Sequence, residues 1–224
     1  MTTKIITIKN FDMKKIFFLS SILIAVVANA QNDKYESAMK ANLSKWDSAK
    51  TTNDFEAMAA SFIRIGDAEK TQWLPYYWAG VALSTPGWND PKIDKDAWTT
   101  RIISLCDKAE ALTTNNADKA EILTLRNIAA TQQMMVDPQS RFMTYGQQAA
   151  GYLQKGMALN STNPRLYYLQ GMSVFNTPEQ FGGGKAKARP IFEKAVELYK
   201  TEEKKPLYPH WGDKEAAQML AQCQ

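Results

Sequence analysis

The chain has 224 residues, of which 45% are hydrophobic and 22% are charged, a composition typical of a folded globular protein rather than a disordered or fibrous one. Its formal net charge is +4, but residues 1–30 carry four lysines and one aspartate, so the rest of the chain carries a charge of about +1. That near-neutral balance gives no support to a nucleic-acid footprint or to a polybasic membrane patch.

The N-terminal residues have the pattern of an export signal. The basic start Met13-Lys14-Lys15 precedes a largely apolar run from Ile16 to Val27, and Ala28-Asn29-Ala30 matches the small-x-small motif of signal peptidase sites. The apolar run is shorter than the roughly 20 residues that a membrane-spanning helix needs. We therefore predict a signal peptide over residues 13–30.

Cleavage is expected after Ala30 and would release a periplasmic or secreted mature chain, residues 31–224. Residues 1–12 have no place in such a signal. We interpret them as an extension produced by a start codon assigned too early, with Met13 as the true start. No integral membrane segment is expected in the mature chain.

Hydrophobic periodicity predicts helices along the mature chain. From Ala188 to Tyr199, apolar residues recur at i, i+3, i+4, i+7, i+8 and i+11, which is one helical stripe rather than strand alternation. No segment shows a sustained period of two, so we expect almost no sheet. The predicted helices are 34–50 and 54–65, 71–83 and 94–112, 117–135 and 139–159, 164–175 and 186–199, and finally 213–221. Long loops are predicted at 84–93 and 176–184.

Several predicted helices share a packing signature. A large residue is followed four positions later by a small one in the first helix of a pair, and small, large and small residues follow at a 4-then-3 spacing in the second. The clearest positions are Tyr76 and Gly80, Tyr167 and Gly171, and Ala188, Phe192 and Ala195. This pattern resembles the tetratricopeptide repeat family over roughly residues 34–200. The segment 177–185 also resembles one found in exported tetratricopeptide proteins of Bacteroidetes-type bacteria.

The resemblance implies an all-α, right-handed α-α superhelix of about four helix pairs, with the ninth helix capping the stack. In that family the residue after the large position of the first helix faces a concave groove. The groove residues implied here are Tyr77, Val81, Arg126, Tyr168, Met172 and Phe175, with Arg126 as the charged contact. The alternative is that the loops at 84–93 and 176–184 fold back, with Trp88 and Phe181, and fill the groove or seal a pocket.

Motifs for catalysis or metal binding are not expected. Gly182-Gly183-Gly184-Lys185 lacks the first glycine, the Ser/Thr and the preceding strand of a phosphate-binding loop. His210 has no neighbouring nucleophile or orienting carboxylate, and we expect it to pack in the C-terminal cap. The spacing of Cys106 and Cys223 fits no zinc site, and we expect a buried core thiol and a free thiol at the tail, without an internal disulfide.

These inferences favour an exported, non-enzymatic scaffold that binds a protein or peptide on its concave face, because an aromatic groove can hold a peptide and Tyr and Trp are enriched at binding hot spots. The alternative is a periplasmic, small-solute-binding helical protein that is accessory to a transporter, with a pocket closed by the two long loops. No cofactor is expected, and neither the partner nor the oligomeric state follows from the sequence.

Overall fold

A computed structural model describes residues 33–224, and the predicted signal peptide therefore lies outside the described residues. The all-α prediction is confirmed, since the described residues contain helices and turns but no strand. We number the helices α1 (33–43), α2 (Thr52–Glu69), α3 (Leu74–Asn89), α4 (Lys95–Glu110), α5 (Asn116–Met134), α6 (Pro138–Arg141), α7 (Gln147–Leu159), α8 (Pro164–Asn176), α9 (Lys185–Thr201) and α10 (Asp213–Gln222). A π-helical segment, Phe142–Gly146, joins α6 to α7. Residues Met39–Gln224 form one compact unit.

The helices begin where short polar side chains or prolines satisfy their first turns. Thr51 and Asp54 form a reciprocal capping box at the start of α2, and Asn115 accepts hydrogen bonds from the first backbone amides of α5. Pro164 occupies the first turn of α8, where a missing backbone N–H costs nothing. These local signals explain why most predicted helix starts lie close to the observed ones.

The helices of the compact unit pack mainly against their neighbours along the chain, as expected for stacked helix pairs. The first helices of successive pairs, α3, α5 and α8, also contact one another. The small–large–small residues Ala188, Phe192 and Ala195 are fully buried. A Cβ at Gly171 would lie only 2.5 Å from the Phe192 ring, so the glycine is what allows α8 and α9 to approach.

The predicted loop at 84–93 is wrong over its first half, because α3 continues to Asn89 through Pro86. Packing against α5 explains the extension. The Gln132 side chain donates a 2.7 Å hydrogen bond to the Ser84 carbonyl, and Gly87 lies directly against the same amide. Tertiary contacts therefore outweigh the tendency of proline to end a helix.

The two cysteines are free, as predicted, but both are buried. Cys106 lies in the core of α4, where burial raises the pKa of its thiol to about 12. Cys223 packs against Ala188 and Phe192 rather than lying in an exposed tail. Within the described part of the chain, no helix is long and apolar enough to cross a membrane.

Candidate functional site

The face formed by the first helices, which the repeat pattern assigns to the groove, is covered by the chain itself. We call residues 202–212, between α9 and α10, the C-terminal strap. The Trp78 indole donates a 2.7 Å hydrogen bond to the Leu207 carbonyl, and the Tyr208 ring packs edge-on against Trp73 at 5.8 Å. The Tyr208 hydroxyl also donates to Asp118 on α5. The strap therefore contacts both α3 and α5.

A buried polar network lies beneath the strap. The Glu121 carboxylate accepts hydrogen bonds from the Tyr77 hydroxyl at 2.6 Å, the Asn163 amide at 2.7 Å and Arg165 Nε at 2.8 Å. Arg165 also forms an ion pair with Glu202 of the strap. The network joins α3, α5 and α8 to the strap, and it is deeply buried, since the Glu121 and Arg165 side chains are 5% and 6% exposed.

The strap completes this network with Trp211. Its indole donates a 2.9 Å hydrogen bond to the Tyr77 hydroxyl, and its carbonyl accepts one from Tyr199. Burial and the neighbouring Glu121 charge raise the pKa of Tyr77 well above its ordinary value. Burial opposes the charge of Arg165, but its two carboxylate partners outweigh that effect and raise its pKa. A closed network whose groups are paired in this way stabilises the fold and offers no free acid, base or nucleophile to a substrate.

The predicted groove residues are not brought together. Tyr77 and Val81 are buried, and the strap separates Tyr77 from solvent. Arg126 is also placed elsewhere, because it bridges Asp107 and Glu110 on α4 at 2.7 and 2.8 Å. An open groove at these three positions is therefore a wrong prediction, and its physical reason is that the C-terminal strap and α4 supply their partners.

The remaining predicted residues, Tyr168, Met172 and Phe175, do lie together along α8. All three are half-buried against the core that contains Phe192. Tyr168 packs against Trp211 with ring centroids 6.5 Å apart. These residues keep part of their surface accessible, and their role in binding stays a prediction.

The long loops neither fill the groove nor close a pocket. Trp88 and Phe181 are 48% and 73% exposed, so neither side chain folds back into the core. Residues 86–91 line an open cleft of about 480 Å³ against the start of α2, and the loop at 176–184 takes no part in it. His210 is also exposed, with Nε2 3.0 Å from the Lys205 carbonyl, so its predicted packing in the cap is wrong.

Four of the six exposed large hydrophobic side chains of the described residues lie between the end of α5 and the start of α7. We call Met135, Val136, Phe142 and Met143 the apolar surface; their side chains are 45–67% exposed. Water-exposed apolar side chains that cluster in this way mark binding sites more often than singly scattered ones do. Three of the four residues are methionine or phenylalanine, which adapt well to flat apolar ligands.

A local distortion of the helix presents this surface. Phe142–Gly146 forms a π turn, a feature that is frequent at functional sites. At Gly146, an added Cβ would lie 2.9 Å from the Phe142 ring and 3.1 Å from the Met134 sulfur. Because Gly146 has no side chain, the Phe142 ring and the Met134 thioether both pack against it, next to the apolar surface.

Arg141 anchors the same region. Its guanidinium binds both oxygens of Asp96 on α4 at 2.6 and 2.8 Å and donates to the Gln133 carbonyl. Hydrogen bonding to Arg141 lowers the pKa of Asp96, so this ion pair persists into acid conditions. Arg141 also lies over the Tyr145 ring at 5.8 Å. A partly exposed cation therefore lies next to the apolar surface in sequence.

Helical periodicity did not predict this surface, because residues 136–138 form the break between the predicted helices 117–135 and 139–159. The available signal was the run of apolar residues on both sides of that break, where polar turn residues are usual. Among the described residues, no group of His, Cys, Asp and Glu is arranged to hold a metal ion.

Comparison with known proteins gives one informative match. No protein-family model and no curated protein sequence match the chain, so no family model supports the tetratricopeptide resemblance. Among solved structures, the chain is similar to the HusA haemophore from Porphyromonas gingivalis. The two are 34% identical, the match covers 85% of this chain and 92% of HusA, and the TM-score is 0.76. The chain therefore belongs to the same protein family as the HusA haemophore.

Proposed function

We propose that this chain is an exported, non-enzymatic protein that binds haem or a related porphyrin. Its membership of the HusA family supports the ligand class, since a haemophore is by name a haem carrier. The predicted signal peptide at 13–30 supports export. Haem is the cargo in this proposal, and the protein needs no cofactor of its own.

The observation that carries the proposal is the apolar surface beside the π turn. A porphyrin is a flat apolar ring with carboxylates on one edge, and the ring needs aromatic or thioether partners. Phe142 and Met143, at 54% and 67% exposure, supply such partners. We assign Arg141 as the partner of the carboxylate edge, because its side chain is 27% exposed next to Phe142 and the bonds to Asp96 and Gln133 engage Nη1 and Nη2 but not Nε.

A peptide ligand along the first-helix face is less well supported. A peptide there would have to displace the strap, which is held by Trp78, Tyr77 and Arg165. The family relation likewise favours the small-ligand alternative over the peptide scaffold. Within that alternative, the half-buried Tyr168, Met172 and Phe175 are the competing position for the porphyrin.

The test is a titration of mature residues 31–224 with haemin, in which binding is measured from the change in Soret absorbance. The variant Phe142→Ala/Met143→Ala removes two large apolar contacts. We therefore expect its affinity for haemin to fall at least about tenfold. Phe181→Ala is the matched control, because Phe181 is an exposed phenylalanine outside the apolar surface. Circular dichroism should confirm that each variant is folded.

Two results would contradict the proposal in different ways. A mature chain that does not bind haemin or metal-free protoporphyrin would overturn the ligand class. If Phe142→Ala/Met143→Ala binds haemin fully and Met172→Ala/Phe175→Ala does not, the proposed function stands but the porphyrin site lies on α8.

A further inference from the structure

The loop between α8 and α9 carries a feature that porphyrin binding does not use. Phe181 is 73% exposed, the largest value among the exposed large hydrophobic side chains of the described residues. It ends a short 3-10 helix, Glu179–Phe181, and is followed by Gly182 in the left-handed region, with φ of +88°. We call residues 177–189 the tip.

The tip holds its shape through backbone hydrogen bonds. The Phe181 amide donates to the Pro178 carbonyl at 2.9 Å, and the Gly184 amide donates to the Val174 carbonyl of α8, also at 2.9 Å. Gly183 is buried against Thr177, where an added Cβ would clash with the backbone. Phe181 is thus presented to solvent by an ordered turn.

The tip also carries two exposed lysines, Lys185 and Lys187, at the start of α9. The Lys187 ammonium lies 3.7 Å from the position that a Cβ on Gly182 would occupy, and the Lys185 ammonium lies 6.0 Å from the Phe175 ring centre. In residues 33–224, no carboxylate forms an ion pair with either lysine, whereas Arg189 is paired with Glu193. The only acid within the tip is Glu179, whose side chain lies against Gly184.

We propose that the tip is a docking point for an anionic lipid surface, independently of whether the protein binds porphyrin. An exposed aromatic wedge flanked by lysines can insert between headgroups while the ammonium groups pair with lipid phosphates. Phe181 is 73% exposed, and a fluid interface accepts an exposed aromatic side chain without a complementary pocket. A folded acidic protein would need such a pocket, so lipid is the partner that this geometry favours.

The near-neutral net charge of the mature chain does not reveal these cations of the tip, because the positive and negative charges elsewhere in the mature chain almost cancel. The small size of the tip predicts weak, reversible binding. Each lysine near an anionic surface contributes about a fivefold gain in affinity, and inserting the phenylalanine contributes about tenfold. One inserted aromatic side chain with a few cations binds a membrane more weakly than the two anchoring groups that stable membrane attachment needs.

The experiment is co-sedimentation of mature residues 31–224 with vesicles of phosphatidylcholine alone and of a three-to-one mixture of phosphatidylcholine and phosphatidylglycerol. We expect binding to the mixed vesicles at low salt, loss of that binding at high salt and little binding to phosphatidylcholine. Phe181→Ser should reduce the partition coefficient about tenfold, and Lys185→Glu/Lys187→Glu at least about twentyfold. Lys45→Glu/Lys155→Glu makes the same change in total charge on exposed lysines elsewhere and should retain binding.

Absence of binding to the mixed vesicles would overturn the proposal, as would equal losses in the tip variants and in the charge-matched control. Binding of the tip to immobilised poly-glutamate but not to vesicles would overturn it too, and would assign the tip to an acidic protein partner. Haemin titration of the same variants separates the two proposals, since the tip variants should bind haemin normally.

Discussion

Replacing Arg165 by methionine is the sharpest test of how the strap is held. Arg165 Nε lies 2.8 Å from both oxygens of Glu121, and the other end of the guanidinium pairs with Glu202. Methionine fills similar volume but leaves two carboxylates, 5% and 15% exposed, facing each other without a cation. Removing one partner of a buried pair costs about 3–5 kcal/mol, a large part of a typical unfolding free energy of about 5–15 kcal/mol.

Equilibrium unfolding in urea measures this loss. With a slope of about 2 kcal/mol/M, the midpoint should fall by about 2 M. Arg126→Met is the matched control, because its partners Asp107 and Glu110 are 64% and 47% exposed and regain water when the cation is removed. We expect a loss of about 1 kcal/mol or less there.

A second variant separates the buried charge from lost packing. Replacing Glu121 as well, in Arg165→Met/Glu121→Leu, removes the uncompensated carboxylate and should recover part of the stability. An Arg165→Met variant that unfolds within about 1 kcal/mol of the wild type, or that loses no more stability than Arg126→Met, would show that the buried ion pairs do not hold the strap.

Three further predictions concern packing, alkaline stability and thiol reactivity. Gly171→Ala should cost about 1–3 kcal/mol, because its Cβ would meet the Phe192 ring at 2.5 Å; Gly151→Ala, with nothing within 4 Å, should be neutral or slightly stabilising in urea unfolding. The raised pKa of Tyr77 makes its contribution to stability complete below about pH 10 and progressively lost above it. Tyr77→Phe should therefore flatten the fall in thermal stability between about pH 9 and pH 11. Because the pKa of Cys106 is raised to about 12, this thiol should react with Ellman's reagent only after unfolding; in Cys223→Ser, which leaves Cys106 as the one free thiol of the described residues, rapid reaction of the native chain would show that α4 opens.

Hydrophobic periodicity and the residues at helix ends predicted most of the helices. The stripe containing Ala188 and Phe192 predicted a helix at 186–199, and the structure extends it only to Lys185–Thr201. Pro190 is the sixth residue of α9, so the helix continues without the hydrogen bond from residue 190 to the Ala186 carbonyl. Such features depend on residues close together in sequence, which a single sequence displays directly.

Contacts between distant segments were not predictable in the same way. Trp211 and Tyr77 are 134 residues apart, so nothing in either local sequence indicated that the strap would cover Tyr77. The continuation of α3 through Pro86 likewise depends on Gln132 of α5. The apolar surface arises from a π turn that brings Phe142 and Met134 together, and no periodicity template describes that geometry.

The most direct measurement of the central claim is an NMR titration of labelled residues 31–224 with gallium protoporphyrin, a diamagnetic stand-in for haem. Porphyrin binding at the apolar surface predicts that the largest shift changes fall on residues 134–147, with small changes along the strap. Shift changes confined to Tyr168, Met172 and Phe175 would contradict the assigned surface. An unchanged spectrum at saturating porphyrin would contradict the proposed function itself.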